Sequence, residues 1–523
     1  MWPYPEIRNI GDIVRFNARR FPNKPAILFE DNVLTMAELD RLSNQFANGL
    51  IAGGVKRGDR IAYCGKNSDD YMIALFGIAK ASAAFVPLNW RLATEELVEI
   101  VGDAEPSFIF VEAEFERSWH HVRDVGNFHF GSQIINPGKP ENNPLRQWLA
   151  GQSEADPMLE CPLDENAWIL YTSGTTGRPK GVQLTTGGII MMRLCEHFEP
   201  AFTWSENDTF LFIAPNFHLL GVSLTLQAFY NGGTIAVVKM FDPALVLKEI
   251  TAKKPTIVAL APIMIQMLVN HPNCEITDFS SVREVVYAGS PISLAVIKQA
   301  LDKMPCRFMQ FYGATESGGA MTLLRPEEHD LNNEERLTSC GKPLPLIDVK
   351  IVDSKGNEVA PGESGELLVR TPAINNGYWR KPELWPDVYQ NGWYRTGDMA
   401  RQDAEGFLYL VDRVKDMIVT GGENVYCSEV ENCLSLHPSI KQVAIIGVPS
   451  EKWGEEVKAV VILKDGETLD EHELIGYAKA RLASYKCPKS VDFVEAFPVN
   501  ANGKVLKRKL REPYWQEKGR NIA

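Results

Sequence analysis

The chain has 523 residues, 45% of them hydrophobic, which is enough material for two or more domains with sizeable buried cores. A formal net charge of −13 argues against a nucleic-acid binder, which would carry a basic footprint, and means that an anionic substrate must be drawn in by local positive charge. The nine cysteines show no CxxC pair or metal-ligand spacing, the N-terminus is not signal-like, and no apolar run approaches the ~18 residues of a membrane span, so a cytoplasmic protein with reduced thiols is expected.

In chain order, Thr35 to Glu38 has the form of a capping box, and Leu39, Leu42, Phe46 and Leu50 follow at helical spacing. A strand is predicted from Ile61 to Cys64. Ser68 is placed to cap a second helix carrying Met72, Leu75, Phe76 and Ala79, and Ala84 to Leu88 reads as the next strand. Such alternation predicts α/β layering around a mainly parallel sheet. From about Glu112 to Pro162 the pattern weakens into polar sequence with Pro and Asn, which reads as a surface connection.

Ala167 to Leu170 is an apolar run that leads straight into Tyr171-Thr-Ser-Gly-Thr-Thr-Gly-Arg-Pro-Lys-Gly181. Three glycines allow a tight backbone approach, hydroxyls and amides donate hydrogen bonds, and Lys180 adds positive charge, so a phosphate-bearing guest is expected. It is not a Walker A loop. Gly174 and Gly177 are too close together, and no Lys-Ser/Thr pair directly follows the second glycine. The loop resembles the signature of the adenylate-forming superfamily of acyl-CoA synthetases, aryl-CoA ligases, luciferases and peptide-synthetase adenylation domains. By that resemblance Thr172, Ser173, Gly174, Thr175, Thr176, Gly177 and Lys180 bind the phosphates of ATP.

Beyond the loop, β-rich runs at 209–215, 234–238, 256–260, 285–287 and 307–311 alternate with other elements, and several end in Pro or Gly loops. Ligands of open α/β sheets bind beyond the carboxyl ends of strands. Pro215-Asn-Phe-His218 puts an imidazole where a substrate wall would stand, although a lone histidine is often structural. Gly289, in Tyr287-Ala-Gly-Ser-Pro291, offers bare backbone to a flat ring. Gln310 to Glu316 combines Tyr312, Gly313, Thr315 and Glu316; the resemblance has these stack adenine, hold phosphate and ligate Mg²⁺, with Glu316 as the metal ligand. One carboxylate suffices for Mg²⁺, which keeps waters and substrate oxygens. Asp398, in Tyr394-Arg-Thr-Gly-Asp398, can accept hydrogen bonds from both ribose hydroxyls.

The charged segment from Val411 to Met417 reads as a linker between domains, where the resemblance puts a hinge, with Arg413 on the nucleotide and Lys415 as pivot. Gly421 and Gly422 match the loop lining the CoA tunnel of CoA-forming relatives, while Cys427 stands where many relatives carry proline and raises the question of an oxidisable thiol. Around Glu429 to Leu434 a helix is expected, and strands at Val443 to Gly447 and Val457 to Leu463. Lys504 falls at the position of the superfamily's catalytic lysine, although Asn500 and Asn502 replace the commoner residues before it. Lys507, Arg508, Lys509 and Arg511 read as solvated charge or as aids to phosphate binding.

The expected fold is therefore α/β: a large N-terminal multi-sheet domain over 1–411, a hinge at 412–416 and a small, mobile C-terminal α+β domain over 417–523. The activity implied is ATP-dependent acid:CoA ligation through an acyl-adenylate, with ATP and CoA as co-substrates and Mg²⁺ as cofactor. By the resemblance, Lys504, Glu316, Thr315 and His218 would carry the chemistry. Phe217, His218, Gly318 and Gly319, with Leu219 and Leu220, suggest an apolar acyl pocket, which favours a medium or long fatty acid over an aryl, phenylpropenoic or steroid side-chain acid. That no carrier domain follows Ala523 favours free CoA as acceptor; a separate carrier protein and an inactive nucleotide-binding scaffold are the alternatives. No nucleic acid and no membrane span are expected, with peripheral membrane contact and a homodimer left open.

Overall fold

The structure, a computed structural model, describes residues 4–138, 140–173, 179–413, 416–420, 423–450, 452–499 and 505–515. Gly174, Thr175, Thr176, Gly177, Lys415, Gly421, Gly422 and Lys504 lie outside the described residues. Among those described, the strands form four sheets of nine, six, five and five strands.

The two largest sheets organise the N-terminal part. In the nine-stranded sheet, the strands Arg307–Ala314, Glu284–Tyr287, Ile257–Leu260, Thr209–Phe212, Thr234–Val237 and Pro25–Phe29 run parallel side by side, and antiparallel strands close both edges. In the six-stranded sheet, Gly131–Ile135, Phe108–Glu112, Arg60–Cys64, Ala84–Leu88 and Asn166–Ser173 are parallel, and Pro179–Thr185 returns antiparallel to the last of them. Both sheets are buried on two faces, as parallel sheets require. Phe210 and Phe212 face a core that also holds Phe46, Phe76 and Phe85, whereas Leu211 and Ile213 turn to the opposite layer with Val246, Ile265 and Ile297. The period-two alternation of strand side chains produces this division.

The helices between the sheets begin where the sequence predicts. Thr35 and Glu38 form the reciprocal capping box of the helix Met36–Ala52, and Ser68 accepts the Tyr71 N–H at the start of Asp69–Lys80. These two helices pack so closely that a Cβ at Gly77 would lie 2.6 Å from Phe46.

The stretch 112–162 departs from the expected surface connection. It contains the helix Glu116–Gly126, the edge strand Gly131–Ile135 and the helix Pro144–Ala150. Trp119, Val122, Leu145 and Leu149 are buried there among charged neighbours, so a few well-spaced apolar residues with tertiary partners outweigh a polar composition.

A five-stranded sheet follows, in which Trp393–Gln402 lies between Ser364–Arg370 and Leu408–Arg413. The last strand pairs Met399 with Asp412 and Asp398 with Arg413, so the first two residues of the expected hinge are sheet residues. The C-terminal sheet pairs Ile440–Ser450 with Gly454–Leu463 over a core containing Val430, Leu434, Ile445, Val457 and Leu474. The basic run of the last helix, Lys507–Trp515, is not all solvated charge. Lys507 stands 2.7 Å from Glu431 and Arg511 stands 2.8 Å from Asp416, the two cationic side chains being less than a fifth exposed.

Candidate active site

The parallel strands of the nine-stranded sheet end level with one another. Leu260, Tyr287 and Gln310 are register partners, so the loops after them emerge side by side at the carboxyl edge. Gly289 sits in one of these loops at φ +93°, and an added Cβ would meet nothing within 4 Å, leaving backbone open to a flat ligand. On the neighbouring strand, Thr209–Phe212, the loop is tied across to the six-stranded sheet. Asn67 Nδ2 donates to Ala214 O at 3.0 Å, Asn67 Oδ1 accepts the Asn216 N–H at 3.1 Å, and Tyr71 Oη donates to Asn216 O at 2.8 Å. Asn67 and Tyr71 thus position Phe217 and His218, and the sequence reading gave neither a role in the site.

Three predicted residues meet at Asp398. Tyr312 Oη donates to Asp398 Oδ2 at 2.6 Å, and Arg413 Nε stands 2.7 Å from Oδ1. The Asp398 backbone is fixed as well: its N–H donates to Thr396 Oγ1 at 3.1 Å, and that hydroxyl donates to Leu367 O. Burial, reinforced by the Asp398 charge, raises the Tyr312 phenol well above its usual range. For Arg413 burial works against the charge, but Asp398 beside it prevails and the guanidinium is held more firmly protonated.

A second group forms around Glu316. Tyr378 Oη donates to Glu316 Oε1 at 3.3 Å, and Lys180 Nζ lies 5.0 Å from the centre of the Tyr378 ring. Asn375 Nδ2 donates to Glu316 O at 2.6 Å, while Ser317 Oγ donates to Ala314 O and Gly319 O, so the turn after Tyr312 is held from inside and outside. Burial raises the Glu316 carboxyl above the usual range, against the Tyr378 hydrogen bond and the charges of Arg413 and Lys180. The sequence analysis missed Tyr378 and Asn375. They lie on a segment bound to the phosphate-loop hairpin, where Gln183 N donates to Gly377 O and Trp379 N donates to Gly181 O. Their only sequence signal is the pair Asn375-Asn376 before a glycine and two aromatic residues.

Lys180 and Thr172 are register partners on the two arms of that hairpin. Thr315 belongs to the turn that holds Glu316, and Gly313 to the end of the strand before it, paired with Ala320. Phe217 is buried and meets His218 edge-on at 4.6 Å between ring centres. Burial, with Arg91 nearby, pushes His218 down to about 3, so it is a neutral imidazole at physiological pH. A Cβ at Gly318 would lie 2.1 Å from Ala373 O, and one at Gly319 about 3.0 Å from Met192, so backbone and a flexible thioether already occupy the space these glycines leave. Cys427 is fully buried and its thiol is raised by that burial, the opposite of a reactive thiolate.

Among the described residues no group of three or more His, Cys, Asp or Glu side chains gathers as a metal cage. A lone carboxylate near a lysine and a phosphate-loop hairpin is nevertheless the donor set Mg²⁺ takes when substrate phosphates and water complete its shell.

A large α/β part with the Tyr312–Asp398–Arg413 cluster, followed by a smaller C-terminal domain, defines a two-part α/β protein. The profile for AMP-binding enzymes matches residues 14–379, and that for the AMP-binding enzyme C-terminal domain matches 429–504. The chain belongs to the AMP-binding enzyme family and so to the adenylate-forming superfamily. It is 34% identical to a fatty acid–[acyl-carrier-protein] ligase, ScoC, of Streptomyces coeruleorubidus, over 99% of both chains. It is 36% identical to a feruloyl-CoA synthase of an Amycolatopsis species, over 95% of this chain and 97% of that one. The solved structure of a Mycobacterium tuberculosis fatty acyl CoA synthetase superposes with a TM-score of 0.77 at 32% identity, covering 98% of this chain and 99% of that one. The chain is an AMP-forming ligase.

Proposed function

We propose that the enzyme is an ATP-dependent carboxylic acid:CoA ligase acting on an apolar acid, with a medium or long fatty acid as the first choice. The observation that carries this reading is the pair of adjoining groups, Tyr312–Asp398–Arg413 and Glu316–Tyr378–Lys180. Asp398 presents a carboxylate to the ribose, and the open backbone at Gly289 with the Tyr312 ring accommodates adenine. The hairpin 172–180 and Lys180 hold the β- and γ-phosphates.

In the first half-reaction an oxygen of the acid attacks the α-phosphorus. The new P–O bond forms as the bond to pyrophosphate breaks, giving acyl-AMP. Two anions must approach, so the site has to neutralise charge and fix geometry. Lys504 is assigned to bridge the acid and the α-phosphate, with Thr315 on the phosphate. Glu316 would hold Mg²⁺, which when bound supplies a Lewis acid for the phosphate oxygens. His218, neutral, and Phe217 form an uncharged wall suited to an apolar acyl group. In the second half-reaction the CoA sulfur attacks the acyl carbon, AMP leaves with the electron pair of the C–O bond, and the thiol proton is lost. Rotation of the small domain about Lys415 exchanges Lys504 for the Gly421–Gly422 loop between the steps. Nine free cysteines agree with a reducing, cytoplasmic setting.

A carrier-protein acceptor is the second reading, favoured by the name and full-length match of the Streptomyces relative. An aryl or phenylpropenoic acid is favoured likewise by the feruloyl-CoA synthase. Pyrophosphate release from ATP against a panel of acids, from acetate through long fatty acids to ferulate, each with and without CoA, separates these. Acyl-CoA formed only from apolar acids supports the ligase; pyrophosphate with no CoA product points to the carrier protein, and silence across the panel overturns the reading.

A further inference from the structure

The strand Leu408–Arg413 belongs to the sheet of the large N-terminal part, yet its last residues are divided between the two domains. Successive side chains on a strand face opposite ways. Arg413 reaches back to Asp398, while Asp412 Oδ2 accepts the backbone N–H of Cys427, the first residue of the small domain's helix Cys427–Ser435. That helix has no side-chain cap from its own N-cap residue, Tyr426, so its cap is supplied from across the joint. Ser428 Oγ donates to Val411 O beside it. Beyond the pivot, Cys427 Sγ donates to Asp416 O at 3.1 Å and Arg511 Nη2 stands 2.8 Å from Asp416 Oδ1. Arg511 lies on the helix Lys507–Trp515, which starts three residues after Lys504 and is pinned by Lys507 on Glu431.

We propose that Asp412 is a positioning residue: by capping the helix Cys427–Ser435 it latches the small domain in one of its two working orientations. The latch rests on the reading that this domain turns between half-reactions. Turning it strips the cap from Cys427, so the strength of this contact sets how the enzyme divides its time between adenylation and thioester formation. Lys507 and Arg511 tie the last helix to the same joint.

Two measurements on the full-length enzyme test the latch. Pyrophosphate release with the acid, and thioester formation from supplied acyl-AMP and CoA, are timed separately for wild type, Asp412→Ala and Asp412→Asn. Asp412→Ala should change the ratio of the two rates about fivefold, the size of one lost helix cap. Asp412→Asn, whose amide oxygen can still accept the Cys427 N–H, should restore most of that ratio. Both rates falling together, or Ala and Asn behaving alike, makes Asp412 a residue of stability only and overturns the proposal.

The second measurement is the distance between fluorophores at Val33 and Leu436, both exposed and one on each domain. Its distribution should broaden in Asp412→Ala without substrates, and an unchanged distribution also overturns the latch. Because this readout needs no turnover, an enzyme inactive across the acid panel would sink the functional reading while the latch is still tested.

Discussion

Tyr312 Oη donates to Asp398 at 2.6 Å while Arg413 holds the other oxygen of the same carboxylate at 2.7 Å. A carboxylate engaged on both oxygens is oriented before any ribose arrives. Asp398→Asn keeps the shape and weakens both contacts, and hydrogen bonds to charged groups are worth roughly 1.5–3 kcal/mol. The ATP dissociation constant, measured by calorimetry, should rise about tenfold or more. Tyr312→Phe should cost less, and the double variant should cost less than the sum, because both substitutions remove the same contact.

Glu316 is the carboxylate proposed to hold Mg²⁺. Glu316→Gln should lower pyrophosphate release on the order of a hundredfold, as loss of an electrostatic stabiliser does. Tyr378→Phe removes a hydrogen bond that favours the ionised carboxylate, so Glu316 should hold Mg²⁺ less well and the Mg²⁺-dependence profile of pyrophosphate release should move to higher Mg²⁺. A profile that stays put in Tyr378→Phe would detach this phenol from the chemistry.

Lys504→Ala should abolish acyl-AMP formation and leave thioester formation from supplied acyl-AMP largely intact. Equal loss of both, read by pyrophosphate release and by acyl-CoA yield, would end the division of labour proposed for the small domain.

His218 and His329 are both held neutral by burial, pushed down to about 3 and about 4. Their unfolded value is about 6.5, so below it the unfolded chain takes up protons that the folded chain refuses. Their contribution to stability is present above pH 6.5 and is lost as pH falls toward 3. Thermal melts from pH 7 to pH 5 should show a shallower decline in Tm for His218→Asn than for wild type; parallel declines would mean that His218 titrates normally.

Gly318 at φ +78° supports the turn after Glu316, and an added Cβ would meet the Ala373 carbonyl. Gly356 has a similar φ, +86°, with nothing near. Gly356→Ala should cost only the left-handed backbone strain, about 1–2 kcal/mol. Gly318→Ala adds a backbone clash, so its Tm should fall well below that of Gly356→Ala.

Helix starts were legible in the sequence because their hydrogen bonds are local: Thr35 with Glu38 and Ser68 with Tyr71 lie three residues apart. Strands such as Ala84–Leu88 were legible because a strand buried on both faces is an unbroken apolar run. The order of the loops that carry Gly289, Tyr312, Glu316 and Asp398 also stood in the sequence, since each loop directly follows or lies within a β-rich run.

Tertiary structure alone decided the rest. Tyr378 meets Glu316 from 62 residues away, Asn67 meets Asn216 from 149, and Asp412 caps a helix that local spacing leaves uncapped. Trp119 and Val122 make a helix of a polar stretch because a sheet face is there to receive them, and Lys507 is paired because Glu431 is brought beside it. Local sequence determines caps, strands and loop chemistry, because those depend on neighbours a few bonds away. Which side chains share a site depends on long-range packing, and no short window of sequence contains it.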